Sequence, residues 1–424
     1  MSEPPSSRLL GHRGFVLFWV ADGVSNLGTF VSGLAVQLLL IETLGADQQE
    51  VGLVRSAQWL PYLLFGLLAG VLVDRVRRKP LLVGADALSA VLFGGVGVLA
   101  LTGHLSVGLL AAVVFVVGSA SMVSSAANQS YLPSLVPAPL LPVANARLHQ
   151  TYTAAQSVGP LVAGLLVRAL SAPVAVLVDA LSYAVSAVVV AGIRDGEREP
   201  DRPASPSASR RQVLAELREG AAWVYRHETL RPYAISLHTW FLGNGLVGTL
   251  LVFFATTELG LGPVAVGLVL AVAGVSGVVG AGLAPRLGDR FGVGPVMVAS
   301  QWLSPIGFAL LLLAQPGPSA LLWPVVANLV VGLGMGAGDP LGLSHRTTVT
   351  PDRLRGRMNA TIRSFNWGTL AVAAPLAGWL ATSFGNRSAI AAGIVVLAVS
   401  AVVLTASPVR RVRTTAAPGE HTEQ

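Results

Sequence analysis

The chain contains no cysteine among its 424 residues, which excludes disulfide bonds and thiolate metal sites. Charge is scarce as well, since Asp, Glu, Lys and Arg make up 12% of the chain, about half of the share in an average soluble protein. No segment has the phosphate-binding form G-x-x-x-x-G-K-[ST], which disfavours a pump driven by its own ATP hydrolysis. The sequence also lacks a metal-ligand cluster and a nucleophile–base pair. We therefore expect a protein that is not an enzyme and that has no cofactor and no metal site.

Hydrophobic residues make up 53% of the chain and occur in long runs between short charged segments. Runs of about 20 apolar residues can cross a bilayer core as helices. We therefore predict an all-α integral membrane protein with twelve transmembrane helices, multi-pass in the cytoplasmic (inner) cell membrane. The first run has no small-residue cleavage site, so we interpret it as a retained span. The predicted spans cover 14–41, 51–73, 81–102, 106–127, 146–168, 174–193, 232–257, 263–284, 296–315, 319–339, 359–383 and 388–406.

The basic residues agree with this topology. If the N-terminus is cytoplasmic, 25 of the 28 Lys and Arg residues fall on the cytoplasmic side, and Arg55, Arg168 and Arg387 are the exceptions. Cytoplasmic loops carry an excess of these residues. The net charge of +7 therefore indicates membrane orientation, with no nucleic acid as a partner and with both termini cytoplasmic.

The longest polar loop divides the chain near its midpoint. The stretch "DGEREPDRPASPSASRR" predicts a disordered linker, because it is polar and rich in Pro and Ser. The next stretch, "QVLAELREGAAWVYRH", has apolar residues at helical spacing and predicts a helix on the inner membrane surface, a connector with no chemistry of its own. We predict an N-terminal six-helix bundle at 1–193, a cytoplasmic linker with this amphipathic helix at 194–231, a C-terminal six-helix bundle at 232–406 and a disordered cytoplasmic tail at 407–424.

The two halves of the chain resemble each other. "GLLAGVLVDRVRRKP" (66–80) aligns with "AGLAPRLGDRFGVGP" (281–295) at an offset of 215, and "VPAPLLPVANARLHQ" (136–150) aligns with "TPDRLRGRMNATIRS" (350–364) at an offset of 214. Two stretches with nearly the same offset indicate that a six-helix unit was duplicated. Because six is even, the copies enter from the same side as parallel repeats, and a cleft between them suits alternating access.

The stretch from Gly70 to Lys79 resembles the signature of the major facilitator superfamily between helices 2 and 3. The segments "SYLPSLVPAPLLPVANA", "SVGPLVAG", "DALSYAVSA", "LAELREGAAWVYRH" and "PDRLRGRMNAT" resemble the branch that contains macrolide-efflux and enterobactin-export proteins. The resemblance implies the major facilitator fold of two pseudo-symmetric bundles, and secondary active export of a drug-like or natural-product small molecule. A monomer is expected, with protons as the coupling ion in an antiport. A siderophore exporter, a solute importer, and a non-transporting sensor or lipid scramblase stay open as alternatives.

The resemblance also implies a gate in the charged signature. Asp74 and Arg75 would bridge to the opposite bundle in one state of the cycle, and Gly70 one turn earlier would let another helix approach closely. The weaker second copy would be Asp289 and Arg290. The alternative is that the bases, Arg78 among them, only anchor the loop to lipid headgroups.

Few ionisable groups lie inside the predicted spans. Asp22, Asn26, Thr29, Gly33 and Gln37 follow one another at i, i+4, i+7, i+11 and i+15, which makes a polar stripe on an apolar helix. We expect this stripe to line the cleft, with Asp22 as a candidate proton carrier; the alternative is an acid satisfied by a neighbouring helix.

Three further ionisable groups are weaker candidates. Asp179 and His238 are two more proton-coupling candidates, although a lone His is more often a packed, hydrogen-bonded residue. Asp86 is expected to pair with a loop arginine.

Aromatic and basic side chains complete the candidate cavity. They are Trp59, Tyr62, Trp240, Arg363 and Trp367, and core packing is the alternative for each. In the fifth span, Gly159, Pro160 and Gly164 resemble the Gly-Pro element of antiporters, although a simple helix kink explains them nearly as well. The fourth span has no basic residue. Coupling through the helix-4 arginine of many proton-driven exporters is therefore excluded.

Overall fold

The computed structural model describes residues 9–73, 76–194 and 210–413. In these ranges the secondary structure is helical and contains no strand. The chain divides into two compact units: the first comprises Met1–Pro206 with Gly262–Ala271, and the second comprises Ser207–Leu261 with Val272–Gln424.

Thirteen long helices lie in the described residues. Those of the first unit are α1 (Arg13–Leu38), α2 (Gln48–Val73), α3 (Arg78–Leu101), α4 (Val107–Leu135), α5 (Leu141–Leu170) and α6 (Ala172–Ala191). Those that follow are α7 (Arg210–Arg226), α8 (Leu230–Phe253), α9 (Pro263–Phe291), α10 (Val293–Ala309), α11 (Leu322–Thr348), α12 (Asp352–Phe384) and α13 (Asn386–Ala406). The first turns of α9 group with the first unit and the rest of α9 with the second.

Ten of the described helices are long and apolar enough to cross a membrane; α2, α7 and α12 are not among them. The surface of these helices is apolar in places where a soluble protein would be polar. Val91 and Val188 are each 73% exposed, and Leu181 is 64% exposed. We expect these side chains to face the hydrocarbon of the bilayer. A helix can lie there because its backbone N–H and C=O groups bond to one another. The chain is a multi-pass membrane protein, and the count of twelve crossings stays a prediction.

Each unit has its own packed interior. In the first unit Phe15, Phe18 and Tyr131 are buried together, and the rings of Phe18 and Tyr131 meet edge to face at 5.4 Å. In the second unit Val224 of α7 is fully buried against Met358 and its neighbours. The helix that follows the linker is thus part of the core of the second unit.

The backbone repeats itself at the offset of the sequence repeat. A π-helical turn follows α1 at Leu39–Thr43 and follows α8 at Phe254–Glu258, an offset of 215. Left-handed backbone recurs in pairs: Gly45 and Gly260 have φ of 62° and 67°, and Ser171 and Gly385 have φ of 99° and 86°. The second pair is separated by 214 residues. The local geometry therefore supports the duplication.

Ser171 is the one described non-glycine residue with positive φ, and its repeat counterpart is a glycine. With φ 99° and ψ 160°, it lies in a region that only glycine enters freely, at a cost of about 1–3 kcal/mol for other residues. We therefore expect Ser171→Gly to stabilise the protein and to raise the midpoint of thermal unfolding in detergent. The reciprocal change Gly385→Ser should lower that midpoint. Two shifts of the same sign would contradict the assignment of strain to this position.

Candidate functional site

Asp22 lies in α1, nine residues after its first residue and so about 13 Å along the helix axis. Both carboxylate oxygens accept hydrogen bonds from side-chain amides. Asn26 Nδ2 donates to Oδ2 at 2.9 Å, and Asn128 Nδ2 of α4 donates to Oδ1 at 2.6 Å. Asp22 makes no ion pair with any base in the described part of the chain. The site is a carboxylate held by two amides in an apolar helix, which leaves it able to bind a proton or a hydrogen-bond donor.

The rest of the α1 stripe contacts one neighbouring helix, α6, and its own backbone. Thr29 Oγ1 lies 2.9 Å from Tyr183 Oη of α6. Gln37 is buried, and its amide nitrogen donates to the Gly33 carbonyl at 2.9 Å. The stripe is continuous in sequence, but its members meet different partners.

Two further acids of the first unit are bonded to hydroxyl groups. Asp179 is fully buried; Ser182 Oγ donates to its Oδ1 at 3.0 Å and Ser32 Oγ of α1 donates to its Oδ2. Ser186 Oγ donates to Asp86 Oδ2 at 2.6 Å. The prediction that Asp86 pairs with a loop arginine is wrong within the described residues, because α6 supplies a serine at that position.

Asp74 and Arg75 lie outside the described residues. Gly70 lies in α2, near its end, and Arg78 is the first residue of α3. The second copy of the signature ends α9, where Asp289 is exposed and the guanidinium of Arg290 lies 5.2 Å from the centre of the Phe291 ring. The gate therefore stays a prediction.

His238 is bonded through both ring nitrogens within the second unit. Nε2 lies 2.9 Å from Tyr225 Oη of α7, and Nδ1 lies 2.7 Å from Asn366 Oδ1 of α12. The ring of Phe365 stacks beside it at 5.4 Å. Because Asn366 Oδ1 can only accept, Nδ1 carries the proton and Nε2 accepts from the tyrosine. This arrangement links three helices, α7, α8 and α12.

The α7 helix makes polar contacts as well as apolar ones. Glu219 forms ion pairs with Arg353, at 2.7 Å, and with Arg357, both near the start of α12. Trp223 Nε1 donates to Thr350 Oγ1 at 3.2 Å. The segment predicted as a connector is therefore attached along α12.

Burial shifts the pKa of two groups at the C-terminal end of α7, Tyr225 in its last turn and His227 directly after it. It raises the pKa of the Tyr225 phenol. Burial also lowers the pKa of the His227 imidazole, although the negative charge of Glu228 acts to raise that pKa.

The aromatic and basic cavity candidates lie on three helices, α2, α8 and α12. Trp59 and Tyr62 form a ring pair on α2 with centres 5.9 Å apart. Trp240 of α8 is 8% exposed and donates from Nε1 to Ser304 Oγ at 2.9 Å, so it packs inside the second unit. On α12, Arg363 is exposed and Trp367 half-buried.

The Gly-Pro element of α5 brings helices close together within the first unit. A Cβ on Gly159 would lie 2.5 Å from Phe30 Cβ of α1. A Cβ on Gly164 would overlap the Pro263 carbonyl in the first turn of α9, and one on Gly267 would overlap the Pro160 carbonyl. The element therefore serves close packing, which small residues permit between membrane helices.

Asp339 is a residue that sequence reasoning missed. It lines a pocket of about 30 Å³ inside the second unit, together with Tyr233, Trp240, Gln301 and Ser304, which is room for about two water molecules. The predicted span 319–339 ends at this residue. The α11 helix instead continues to Thr348. The available signal was that Asp339 is the only acid between Pro316 and Thr350.

The comparisons with known proteins agree with this geometry. A profile of the family described as "Transmembrane secretion effector", a group of major facilitator transporters, matches residues 8–424. The chain belongs to this family. The family is one of membrane transporters rather than enzymes, and the resemblance to the major facilitator superfamily is confirmed.

Curated relatives of this family member include efflux proteins. Macrolide efflux protein A of Streptococcus pyogenes is 26% identical over 180 residues, which is 42% of this chain and 44% of that protein. Multidrug efflux pump Tap of Mycolicibacterium fortuitum is 27% identical over 382 residues, 87% of this chain and 90% of that protein. The chain thus spans less than half the length of the first relative but most of the second.

Solved transporters share the fold. The nucleoside transporter NupG superposes with a TM-score of 0.71 at 13% identity over 93% of this chain and 98% of that one. A bacterial homologue of the iron transporter ferroportin, in its inward-facing state, superposes with a TM-score of 0.73 at 15% identity over 93% and 98% of the two chains. At such identities the likeness establishes the fold alone.

Proposed function

We propose that the chain is a secondary active exporter of a drug-like or natural-product small molecule, which works by alternating access in the cytoplasmic membrane as a monomer and exchanges its substrate for protons. The family and the two efflux-named relatives support export. The observation that carries the coupling is Asp22, a carboxylate inside an apolar helix with amide partners and, among the described residues, no paired base.

The chemistry of Asp22 suits an exchange. A proton and a hydrogen-bond donor of the substrate compete for the same two oxygens, so that binding of one favours release of the other. Asn26 and Asn128 keep the carboxylate oriented while neither is bound. The helix around it is apolar, which makes an ionised acid costly and the protonated form accessible.

The cavity and the gate belong to the same proposal. Within the first unit, Trp59 and Tyr62 of α2 offer an aromatic surface to a bulky amphipathic molecule. Within the second unit, Trp367 and Arg363 of α12 offer an aromatic and a basic side chain. The latch at Asp74 and Arg75 rests on the resemblance alone.

Transport by proteoliposomes with an acidic lumen tests the coupling. We expect the unaltered chain to accumulate radiolabelled erythromycin, used as the macrolide probe, and a protonophore to abolish the accumulation. Asp22→Asn keeps the shape and loses the titration, so accumulation should fall at least about fivefold, the lower end of the range for coupling between two ligands.

The matched control is Asp352→Asn, an acid 87% exposed at the start of α12, which should leave accumulation unchanged. Coupled accumulation that survives Asp22→Asn with the same pH dependence would remove Asp22 as the proton site. If the proteoliposomes accumulate no more erythromycin than protein-free vesicles do, the chain does not export this macrolide.

A further inference from the structure

One face of α6 is polar along two turns, which is unusual inside an apolar helix. Asp179, Ser182, Tyr183 and Ser186 lie at i, i+3, i+4 and i+7 and therefore share this face. We call these four residues, with Asp86 of α3 and Ser32 and Thr29 of α1 that they contact, the α6 seam. The α6 helix packs against α1 and α3 within the first unit. Asp179, Ser32, Tyr183 and Ser186 of the seam are buried there, whereas Asp86 and Ser182 are half-buried and Thr29 is exposed.

Each acid of the seam is bonded to serine hydroxyls. Asp179 accepts from Ser32 and Ser182, and Asp86 accepts from Ser186 at 2.6 Å. Neither acid forms an ion pair with a base in the residues the structure describes. Asp179 is fully buried, so it is shielded from water as well as from counter-charge.

A serine hydroxyl can stay hydrogen-bonded to a carboxyl group in both protonation states of that group. It donates to an ionised carboxylate and, after rotating, accepts from a protonated carboxyl. The hydrogen bond therefore survives in both states, and the free energy of the charged state is not fixed by a counter-ion. At Asp22 the partners are amide nitrogens, which only donate, so the seam acids are better suited to taking up a proton.

The second unit contains a neutral copy of the same interface. At the repeat offset, Asp86 corresponds to Gln301 and Ser186 to Ser400, and Gln301 Nε2 donates to Ser400 Oγ at 2.5 Å. The link from α3 to α6 is thus repeated from α10 to α13 with an amide in place of the acid. The fold does not require a carboxyl at this position.

The crossing of α1 and α6 is repeated in the same way. Asp179 corresponds to Gly393 and Ser32 to Val247, and a Cβ on Gly393 would lie 2.8 Å from Val247 Cγ2. The pair that is polar in the first unit is small and apolar in the second. The corresponding helices of the second unit therefore pack together without acidic residues. Helix packing does not explain Asp86 and Asp179 in the first unit, so another role must.

We propose that Asp86 and Asp179 are proton-binding residues of the transport cycle, additional to Asp22, which couple proton uptake to the packing of α6 against α3 and α1. This rests on the proposed antiport. Each step adds one proton from the aqueous phase to a carboxylate, at the stage of the cycle in which the packing of α6 lets water reach that carboxylate. The serine that donated to the protonated oxygen then rotates and accepts.

Several ionisable groups lie on the elements packed around the seam. The α5 helix carries Arg147, His149, Tyr152 and Arg168, the turn after α1 carries Glu42, and all five side chains are exposed; α3 itself begins with Arg78 and Lys79. The groups on which Asp86 acts electrostatically are Asp22 of α1 and Asp179 and Tyr183 of α6. On α4, the other helix packed on α3, Tyr131 is the only ionisable side chain. Among the described residues, no base of these helices forms an ion pair with the seam, and protonation is thus the available way to neutralise the acids.

Infrared difference spectroscopy of the full chain in lipid tests the proposal without any substrate. Spectra recorded from about pH 8 down to about pH 5 should show growth of the carboxylic C=O band. We expect one component of the band to be missing in Asp86→Gln, which copies Gln301, and a different component to be missing in Asp179→Asn. Asp352→Asn is the matched control and should change neither component.

Bands that are identical in the unaltered chain and in both variants would overturn the proposal. An Asp86→Gln protein that does not fold would also count against it, because the second unit holds an amide at this position. Ser186→Ala keeps Asp86 but removes its partner, and it should shift the titration of the Asp86 component. If both bands titrate but transport does not respond to the pH gradient, the seam acids bind protons as proposed and the proposed proton antiport is wrong.

Discussion

Replacing Gly28 with alanine is expected to destabilise the first unit by about 1–3 kcal/mol, the range for forcing extra groups into a packed interior. A Cβ at this position of α1 would overlap Asp179 Oδ1 and Ser182 Oγ of α6. The new methyl group would displace Asp179 from its hydrogen bond with Ser182. In the second unit the counterpart is Gly243 of α8, where a Cβ would lie 2.8 Å from the Gly393 carbonyl oxygen, and Gly243→Ala should have an effect of similar size.

The repeat supplies matched controls for both changes. Gly33 and Gly248 lie five residues further along the same two helices, and a Cβ on either would meet no atom within 4 Å. Alanine is a better helix former than glycine by about 1 kcal/mol, so Gly33→Ala and Gly248→Ala should be neutral or stabilising. The measurement is the midpoint of thermal unfolding in detergent, followed by tryptophan fluorescence. Equal shifts for all four variants would show that the close crossings do not limit stability.

Arg387→Gln is expected to destabilise the second unit by about 2 kcal/mol, within the range for hydrogen bonds that involve a charged group. Its guanidinium donates to the carbonyls of Leu312 and Ala314 at 3.0 and 2.7 Å, at the end of the 3-10 turn Leu310–Leu313 that follows α10. It also pairs with Glu258 at 3.3 Å and lies 5.2 Å from the centre of the Phe254 ring. Glutamine is too short to make these contacts together, so two carbonyls at a helix end would lose their donor.

Arg168→Gln is the matched control for this second prediction. Arg168 is also predicted to lie on the outer side, is exposed in the last turn of α5, and forms no ion pair among the described residues. A surface change of this kind should stay within about 0.5 kcal/mol. Unfolding in increasing concentrations of sodium dodecyl sulfate measures both variants. If Arg387→Gln unfolds at the same concentration as Arg168→Gln, the contacts of Arg387 contribute little.

Composition and periodicity were sufficient for the outline of the fold. Long apolar runs predict membrane helices because lipid offers the backbone no other partner, and the structure has a helix at every predicted span. The duplication was visible in two short stretches, and the π-turns after α1 and α8 recur at the same offset. Arg387 was an exception to the charge asymmetry of the sequence. Its hydrogen bonds to the Leu312 and Ala314 carbonyls explain why a base occurs there.

The partners of the site residues could not be predicted in this way. Asp179 meets Ser32 across 147 residues of sequence, and Glu219 meets Arg353 across 134. Such pairs depend on how helices rotate against one another, which a period of 3.6 residues does not specify. The predicted span that ends at Asp339 is too short, because α11 continues past Pro340 to Thr348.

The attachment of α7 has a practical consequence. Gly220 lies against the backbone of Arg357, with a Cβ position 2.9 Å from its carbonyl oxygen, and Tyr225 reaches His238. Because α7 contacts both helices, any displacement of α12 relative to α8 must change the contacts of α7 with at least one of them. Arg218 is exposed on this helix, and a spin label or dye introduced there would report motion inside the second bundle during turnover while leaving every membrane-embedded side chain intact.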